Sequence, residues 1–475
     1  MSVAPARAAA YAVLRRVFEQ GAYADRALHS AASGLGARDR ALAMTLAYGT
    51  VQRCRTLDWL LEPLCARGLK RLDPGVLQAL RLGLFQITFL GGITDYAAVN
   101  ESVELAKRSS RGGAQLVNAV LRRAIRDCPA RLAKLTDRTP HEAALMHSVP
   151  DWLAELWWRE LGAQTARELL ATVNLPAESA IRVNTLRTTP ERVLRALELK
   201  PADPGNGGRG GTVAGTGGSA AAAAGTAAVA VSGGNGTGSA PSWVRLAPAW
   251  EAQPGLPELP EVLVLRGAFD AFGSEHFERG ELIPQSRASA AVARVLAPRE
   301  GERVLDLCAA PGGKTTHLAA LMADRGEIVA VEVHPGRASE LRETCQRMGA
   351  SSVRVLETDA RTLGQMERFD RVLVDPPCSG LGTLQARPDL RWQPRRGQIK
   401  MLADKQLELL KAGARLLAPG GTLVYSLCTL SAVESDGVLE RLLASEPEFT
   451  CPERFRLLPC KEHTDGFFIA RLQRV

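Results

Sequence analysis

The sequence lacks the features that would place the protein in a membrane or outside the cell. No run of apolar residues approaches the roughly 20 that a membrane-spanning helix needs. The first residues, MSVAPARAAAYAVLRR, mix alanine with arginine, and they lack the unbroken apolar core that precedes a signal-peptide cleavage site. We therefore expect a cytoplasmic protein that has no contact with a membrane.

The cysteines lack the spacing of a disulfide framework or a zinc site. The chain has 9 cysteines, an odd number, with no CxxC pair and no neighbouring histidine cluster. We therefore expect no bound metal. The formal net charge of +8 favours a polyanionic partner, because neutralised phosphates release their counterions. Many basic proteins bind no nucleic acid, so charge alone does not decide this question.

The length of 475 residues suggests about three domains. In residues 1–140 apolar residues recur at three- and four-residue spacing, which predicts a helical bundle. Asp73 and Pro74 form a helix-start signal within it. Arg122 and Arg123 fall close together on one helix and could meet phosphate oxygens. An ordinary solvated helix face explains the two arginines as well.

A connecting α+β domain is expected over residues 141–284. It contains helical patterns, then short strands at 182–187 and 261–267. A stretch of glycine, alanine, serine and threonine at about 201–241 interrupts it. Because this stretch has too little apolar surface to offset the entropy of ordering, we expect a disordered insertion.

Strands and helices alternate over residues 285–475, which predicts a parallel sheet flanked by helices. The tail FFIARL follows Asp465 and Gly466 and reads as one further strand. We expect this last strand to run antiparallel to the others.

Within that region, residues 304–318 run from an apolar strand through a glycine turn into a helix. Glycine allows a ligand close to the backbone, and the helix N–H groups favour ligand oxygens. Gly313 and Lys314 match the second half of a Walker loop, but Cys308 stands where the first glycine should be. A G-x-G-x-x-G fingerprint is also missing, so an ATPase or a typical dinucleotide-binding site is disfavoured.

Carboxylates follow the strands next to this turn. Glu332 ends one strand, where it could accept hydrogen bonds from a ribose diol. Asp359 occupies the matching position after the next strand and could receive an adenine amino group. Each carboxylate alone is more often solvated or a helix cap, but Asp306, Glu332 and Asp359 around one turn favour a ligand site.

Four segments in one order carry a family resemblance: VLDLCAAPGGKTTHL (304–318), VLVDPPCSGLGTL (372–384), RPDLRW (387–392) and LVYSLCTLSAVES (423–435). Together they resemble the RNA cytosine-5 methyltransferases. QLVNAVLRR (115–123) is similar to the NusB-like domain of the RsmB/Sun branch, which methylates small-subunit ribosomal RNA. The resemblance implies an all-α N-terminal bundle, a small α+β connecting domain and a Rossmann-like α/β domain with a mostly parallel seven-stranded sheet.

The resemblance also implies a mechanism. C5 of cytosine is too weak a nucleophile to take a methyl group directly, so a thiolate first adds to C6. A base then removes the C5 proton. Cys428 matches the family's nucleophile, and Cys378 matches the cysteine that resolves the adduct. Asp375 would contact the amino edge of the base or the reactive end of the cofactor.

S-adenosylmethionine is the implied cofactor and ribosomal RNA the implied partner of a monomeric enzyme. The implied cofactor-binding residues are Cys308, Ala309, Ala310, Pro311, Gly312, Gly313, Lys314, Glu332, Asp359 and Asp375. In addition, Arg387, Arg391 and Trp392 could stack a base and hold the RNA backbone. An exposed basic loop is an equally good interpretation of those three residues.

The chain departs from the family pattern at two positions. Leu427 precedes Cys428 where threonine is usual, which puts activation of the thiolate in doubt. Ser286 stands where aspartate is common. A catalytically inactive, RNA-binding ribosome assembly factor therefore remains the alternative. A DNA methyltransferase is disfavoured, because those enzymes place the nucleophile in the Pro-Cys motif.

Overall fold

The structure is a computed structural model that describes residues 3–110, 112–198, 244–266, 269–364, 366–393 and 396–475, without the side chain of Arg396. The expected disordered insertion at about 201–241 lies outside the described residues. The chain divides into two compact units. The described residues up to 175 form the first unit together with Leu384–Gln393, and the second unit holds those of 176–383 and 396–475.

The first unit is helical. Its α-helices are α1 (Pro5–Gln20), α2 (Ala24–Ala31), α3 (Ala37–Leu61), α4 (Pro74–Phe89), α5 (Asp95–Lys107), α6 (Gly113–Leu132), α7 (Pro140–Met146), α8 (Asp151–Leu161) and α9 (Ala163–Thr172). Asp73 accepts a hydrogen bond from the Val76 N–H and Pro74 opens α4, as the sequence predicts. Leu14, Leu57 and Leu80 are fully buried in the shared core. The predicted helical N-terminal bundle is confirmed.

The second unit begins with a small antiparallel sheet. Its elements are β1 (Ser179–Val183), α10 (Pro190–Glu198), β2 (Val244–Leu246), β3 (Val262–Leu265), α11 (Glu275–Glu278) and β4 (Leu282–Pro284), with strand order β2-β3-β1-β4. Strand β1 starts three residues before the predicted strand at 182–187. It ends at Val183, and the side-chain amide of the next residue, Asn184, donates to the Gly280 and Met348 carbonyls.

The large sheet follows. Its elements are α12 (Arg287–Leu296), β5 (Arg303–Leu307), α13 (Gly313–Leu321), β6 (Glu327–Glu332), α14 (Pro335–Met348), β7 (Val353–Glu357), β8 (Phe369–Val374), α15 (Arg396–Leu416), β9 (Leu417–Leu427), α16 (Asp436–Ser445), β10 (Phe449–Leu457), α17 (Pro459–Glu462) and β11 (Phe467–Arg474). The strand order is β10-β11-β9-β8-β5-β6-β7. Strands β5 to β9 are parallel, and β11 pairs antiparallel with β9. The predicted seven-stranded, mostly parallel sheet is confirmed.

Strand β10 has no strand-like signal in the sequence. Pro452 lies within it, and polar residues occupy much of its length. A proline is tolerated there because β10 is at the edge of the sheet, where one row of N–H groups has no partner strand.

The sheet places three strand ends side by side. Leu307 in β5 pairs with Val374 in β8, and Val374 pairs with Tyr425 in β9. Strand β5 also pairs with β6 on its other side, so the chain order reverses at β5. Ligands of open α/β sheets bind outside the carboxyl ends of the strands at such a reversal. Across the described ranges, no helix has the length and apolar character needed to cross a bilayer.

Candidate active site at the carboxyl ends of the central strands

The glycine turn between β5 and α13 has a backbone that suits a close ligand. Gly312 has a φ of 104°, and a Cβ there would approach Leu341 Cδ1 to 2.9 Å. Gly313 opens α13, and no side chain caps the first N–H groups of this helix. Uncapped helix N–H groups are donors for a ligand oxygen. Gly312 therefore allows α14 to pack against the turn, and the start of α13 leaves N–H donors for a ligand.

Asp306 lies beneath this turn and not at the ligand edge. Its side chain is buried and accepts a hydrogen bond from Thr315 Oγ1 at 2.7 Å. Burial, with a contribution from the charge of Asp375, raises the pKa of Asp306 to about 7. The carboxyl group therefore supports the turn from the inside.

Arg182 of the small sheet braces the turn from another side. Its Nη2 donates to the Gly313 carbonyl at 3.2 Å and to Thr316 Oγ1 at 2.9 Å. Its Nε donates to Gln285 Oε1 at 2.7 Å. Sequence reasoning missed Arg182, although it lies in the RVNTLR segment. The neighbouring Ser286 stands where aspartate is common in the family. Its hydroxyl oxygen caps α12 by accepting a hydrogen bond from the Ser289 N–H.

Glu332 ends β6 with one buried oxygen that has no hydrogen-bond partner. The side chain is 3% exposed, and its Oε1 accepts from the His334 N–H at 3.0 Å. Oε2 has no hydrogen-bond partner, although Arg337 Nη1 lies 3.5 Å away. Because buried carboxylate oxygens are normally hydrogen-bonded, the contact of Glu332 Oε2 with a hydroxyl donor would complete this arrangement.

Asp359 lies after β7, where the sequence places it, but its carboxylate has protein partners. It accepts from the Arg361 N–H at 3.0 Å and forms an ion pair with the Arg361 guanidinium at 2.6 Å. These interactions lower the pKa of Asp359 to about 2. The helix-cap alternative therefore describes part of what Asp359 does.

Lys314 connects the glycine turn to the strand that bears Asp375. Its Nζ lies 2.7 Å from Asp375 Oδ2 and 5.3 Å from the centroid of the Phe467 ring. Ser426 Oγ donates to Asp375 Oδ1 at 2.7 Å. Burial lowers the pKa of Lys314, but Asp375 outweighs burial and raises it overall, so the amine is an ammonium. Asp375 is thus held by a donor on each oxygen.

Cys378 and Cys428 meet at the same edge of the sheet. Their Sγ atoms are 3.3 Å apart, although 50 residues separate them in the chain. Cys428 directly follows β9, and Cys378 follows β8 in the neighbouring loop. The hydrogen bond with Cys428, burial, and the negative charges of Cys428 and Glu434 raise the pKa of Cys378 well above its ordinary value.

Comparison with known proteins places the chain in a family. Family models match residues 293–473 as 16S rRNA methyltransferase RsmB/F, residues 4–126 as the NusB family, and residues 149–203 as the ferredoxin-like domain of RsmF/B-like methyltransferases. The probable ribosomal RNA small subunit methyltransferase B of Synechocystis is 34% identical, with 99% of each chain covered. The chain belongs to the RsmB/F family. It is therefore a methyltransferase.

Other relatives of this RsmB/F methyltransferase agree over its whole length. The ribosomal RNA small subunit methyltransferase B of Thermus thermophilus is 33% identical over 99% of this chain and 98% of its own. The crystal structure of PH0851 superposes with a TM-score of 0.76 at 26% identity, covering 100% of both chains.

The RsmB/F methyltransferase has an unusual residue before Cys428. Leu427 is fully buried as the last residue of β9. A hydroxyl is present on the other side of the cysteine, where Thr429 Oγ1 donates to Glu434 Oε2 at 3.0 Å. The polar support of this loop therefore comes from the residue after Cys428.

The sequence suggests that Arg391 and Trp392 contact RNA, but the burial of Arg391 contradicts this expectation for that residue. Arg391 is fully buried in the first unit. Its guanidinium donates to the Val173 and Ser148 carbonyls and to Asn174 Oδ1. The indole of Trp392 donates to a main-chain carbonyl of α3 at 2.8 Å and packs against the helical core. Arg391 therefore has no exposed surface for RNA, whereas Trp392 is half-buried and its contact with RNA stays a prediction.

The remaining predicted RNA contacts have different surroundings. Arg387 lies over the Tyr23 ring, with its Cζ 5.3 Å from the centroid. Arg122 and Arg123 are exposed on α6. Arg122 donates to a neighbouring asparagine at 2.9 Å, and Arg123 pairs with Asp127 at 3.2 Å. In the part of the chain that the structure describes, no group of histidine, cysteine or acidic side chains is arranged to hold a metal ion.

Proposed function

We propose that the protein transfers a methyl group from S-adenosylmethionine to C5 of a cytosine in small-subunit ribosomal RNA, through a covalent bond between Cys428 and C6. The 3.3 Å approach of Cys378 and Cys428 carries this proposal. The two thiols lie at the carboxyl edge of β8 and β9, next to the strand that leads into the glycine turn. The names of the relatives support ribosomal RNA as the substrate.

The residues of the turn fit the cofactor. Gly313 has no neighbour closer than 3.9 Å to the position of a Cβ, the first N–H groups of α13 have no side-chain cap, and Glu332 Oε2 has no hydrogen-bond partner and suits a ribose hydroxyl. The remaining residues assigned to this site are Cys308, Ala309, Ala310, Pro311, Gly312, Lys314, Asp359 and Asp375. When bound, S-adenosylmethionine supplies an electrophilic methyl group on a sulfonium.

The two cysteines have different roles in the proposed reaction. The hydrogen bond with Cys428, burial and nearby negative charge raise the pKa of Cys378 well above its ordinary value, so Cys378 holds its proton more tightly than an ordinary thiol. We assign the attacking thiolate to Cys428, as the family resemblance implies. The Cys428 thiolate adds to C6, and the electron pair of the C5–C6 double bond then forms the new bond from C5 to the methyl carbon. The sulfonium–methyl bond breaks as that bond forms.

Cys378 is suited to the second half of the reaction. The hydrogen bond and charge of Cys428 are among the causes that raise the Cys378 pKa. Once Cys428 is a thioether, its charge is gone, so the pKa of Cys378 falls and the Cys378 thiol can release its proton to solvent and become a thiolate base. Cys378 then takes the proton from C5, the C5–C6 double bond reforms, and the Cys428 thiolate leaves C6.

Asp375 orients the target base. Lys314 and Ser426 each hold one of its oxygens, so the carboxylate has a fixed direction. It would accept a hydrogen bond from the amino group of cytosine. A base within a helical stack cannot reach these groups, so the target cytosine must be unpaired or flipped.

Cys428→Ala tests the nucleophile. We expect transfer of tritium from methyl-labelled S-adenosylmethionine to small-subunit ribosomal RNA to stop, because C6 no longer receives a thiolate. Calorimetry should show unchanged cofactor binding. Methylation at the normal rate would show that another group is the nucleophile. An intact wild-type protein that binds no S-adenosylmethionine would instead support the inactive assembly factor.

Cys378→Ala tests the second cysteine. We expect a denaturant-resistant complex between protein and RNA to accumulate, because the C5 proton is removed slowly and Cys428 remains bound to C6. Gel electrophoresis after mixing with RNA and cofactor detects it. The double variant Cys378→Ala, Cys428→Ala is the control and should give no such band. If Cys378→Ala also gives none, Cys378 does not resolve the adduct.

A further inference from the structure

Glu434 is a fully buried carboxylate close to both cysteine loops. Its Oε1 accepts a hydrogen bond from the Ser379 N–H at 2.8 Å, and its Oε2 accepts one from the Ser379 hydroxyl. Oε2 also accepts from Thr429 Oγ1 at 3.0 Å. Ser379 directly follows Cys378, and Thr429 directly follows Cys428. One carboxylate therefore holds the residue after each cysteine.

A second layer fixes the same loops. Gln406 on α15 donates to Glu434 Oε1 at 3.1 Å and to the Pro377 carbonyl at 2.9 Å. The buried Tyr425 hydroxyl donates to the Glu434 carbonyl at 2.8 Å. Burial raises the pKa of Tyr425 well above its ordinary value, so the phenol stays a donor. Residues on both sides of Cys378 are thus tied to Glu434 or to its partner Gln406.

A purely structural tie does not need a carboxylate at this position. Burying a charge carries a desolvation penalty, which a neutral acceptor such as glutamine would reduce. An ionised carboxylate has the advantage of being an acceptor at both oxygens. It can therefore receive donors from both loops at once, and its negative charge acts on Cys378. The charge of Glu434 is one of the causes that raise the pKa of Cys378.

We propose that Glu434 is a positioning residue that sets the separation of the two thiols and gives them different reactivities. This inference rests on the proposed function, because it assigns the two cysteines their different tasks. A displacement of about 1 Å at a reacting group can cost about a hundredfold in rate. Glu434 is fully buried, so we assign it no direct contact with substrate or cofactor but an action through Ser379 and Thr429.

Glu434→Gln tests the proposal without substrate. The amide keeps the size of the side chain but offers one acceptor oxygen and no charge. We expect iodoacetamide to alkylate Cys428 first in the unmodified full chain. In the variant we expect the ratio of Cys378 to Cys428 alkylation, measured by peptide mass spectrometry, to rise about tenfold, since one pKa unit is a tenfold change in thiolate.

Glu434→Gln should also change the kinetics of methyl transfer. The kcat for methyl transfer should fall between about tenfold and a hundredfold, while the KM for RNA and the Kd for S-adenosylmethionine stay within about twofold. Glu462→Gln is the matched control. Glu462 is also buried and accepts two main-chain N–H bonds, from Glu251 and Ala252. This control should lower the melting temperature without changing the alkylation ratio.

Two outcomes would overturn the proposal. One is an unchanged alkylation ratio in folded Glu434→Gln, which would make Glu434 an ordinary structural tie. The other outcome concerns a second variant, for use if Glu434→Gln does not fold. Thr429→Val removes only the hydroxyl that joins the Cys428 loop to Glu434. An unchanged kcat in Thr429→Val would exclude the positioning role. Because alkylation needs neither RNA nor cofactor, it separates this proposal from the proposed function, which stands or falls with Cys428→Ala.

Discussion

The carboxyl group of Asp306 lies directly beneath the glycine turn, where burial favours its protonated form. Asp306 is 1% exposed, and its nearest donor is the neutral hydroxyl of Thr315. Burial therefore dominates and raises its pKa to about 7, against an ordinary value of 3.8. Such a group binds a proton in the folded state over a pH range in which it is ionised in the unfolded chain.

Asp306→Asn should change how stability depends on pH. A raised folded pKa means that the contribution of Asp306 is fully present below about pH 4 and is lost as the pH rises through about 7. Each pKa unit is worth about 1.4 kcal/mol, so up to about 4 kcal/mol is involved. Relative to the wild type, the variant should gain stability between these values. Urea unfolding at a series of pH values measures this.

Asp324→Asn is the control with the opposite sign. Its hydrogen bonds with Ser351 and Ser352 outweigh burial and lower the pKa of Asp324. The contribution of Asp324 is therefore present at neutral pH and lost as the pH falls through its folded pKa. A parallel pH dependence for wild type and Asp306→Asn would contradict the assignment for Asp306.

At the scale of elements, the segment Leu384–Gln393 belongs to the helical unit although it follows the Cys378 loop in the sequence. Arg391 explains this placement. It is fully buried and donates hydrogen bonds to main-chain carbonyl groups of the first unit, including those of Ser148 and Val173. Burial lowers the pKa of Arg391 to about 9, so the side chain remains a cation at neutral pH.

Arg391→Met should destabilise the helical unit. Each buried acceptor that loses its donor costs about 1–3 kcal/mol, so we expect a loss of at least about 3 kcal/mol in the free energy of unfolding. Fluorescence during urea unfolding follows it, since Trp157 is fully buried in the same unit. Arg126→Met, at an exposed position of α6, should change stability by less than about 0.5 kcal/mol. Equal effects of the two variants would refute the anchoring role.

At the scale of the whole molecule, the net charge of +8 agrees with an RNA substrate but does not locate the contact. Arg122 and Arg123 are the predicted contacts that remain exposed, on α6. Their partners, a neighbouring asparagine and Asp127, are themselves on the surface of this helix. Hydrogen bonds and ion pairs on an exposed helix surface are weak in water, so the two arginines can exchange these partners for phosphate oxygens.

The double variant Arg122→Ala, Arg123→Ala tests this surface. If each arginine neutralises one phosphate, the slope of log K against log salt should decrease by about 0.7 per contact, as for single-stranded nucleic acid. Titration of a labelled small-subunit ribosomal RNA fragment at several salt concentrations measures the slope. Arg15→Ala, which removes a cation paired with Glu19 on α1, is the control. An unchanged slope in the double variant would favour the solvated helix face.

The sequence alone determined the helical N-terminal region, the mostly parallel sheet and the two cysteine motifs. These features follow from local patterns: residue periodicity selects helix or strand, and motif order carries the family resemblance. Even here the proline in β10 concealed an edge strand, because edge position is a property of the assembled sheet.

Only the tertiary structure decided the surroundings of individual polar residues. Glu434 looks like an ordinary loop residue in the segment SAVES, and Arg391 looks like part of a basic loop, yet both side chains are fully buried. Burial and hydrogen-bond partners depend on segments that are distant in the chain, such as Ser379 for Glu434. Local sequence patterns do not show which distant segments come together, because strand order and packing in the folded protein decide this.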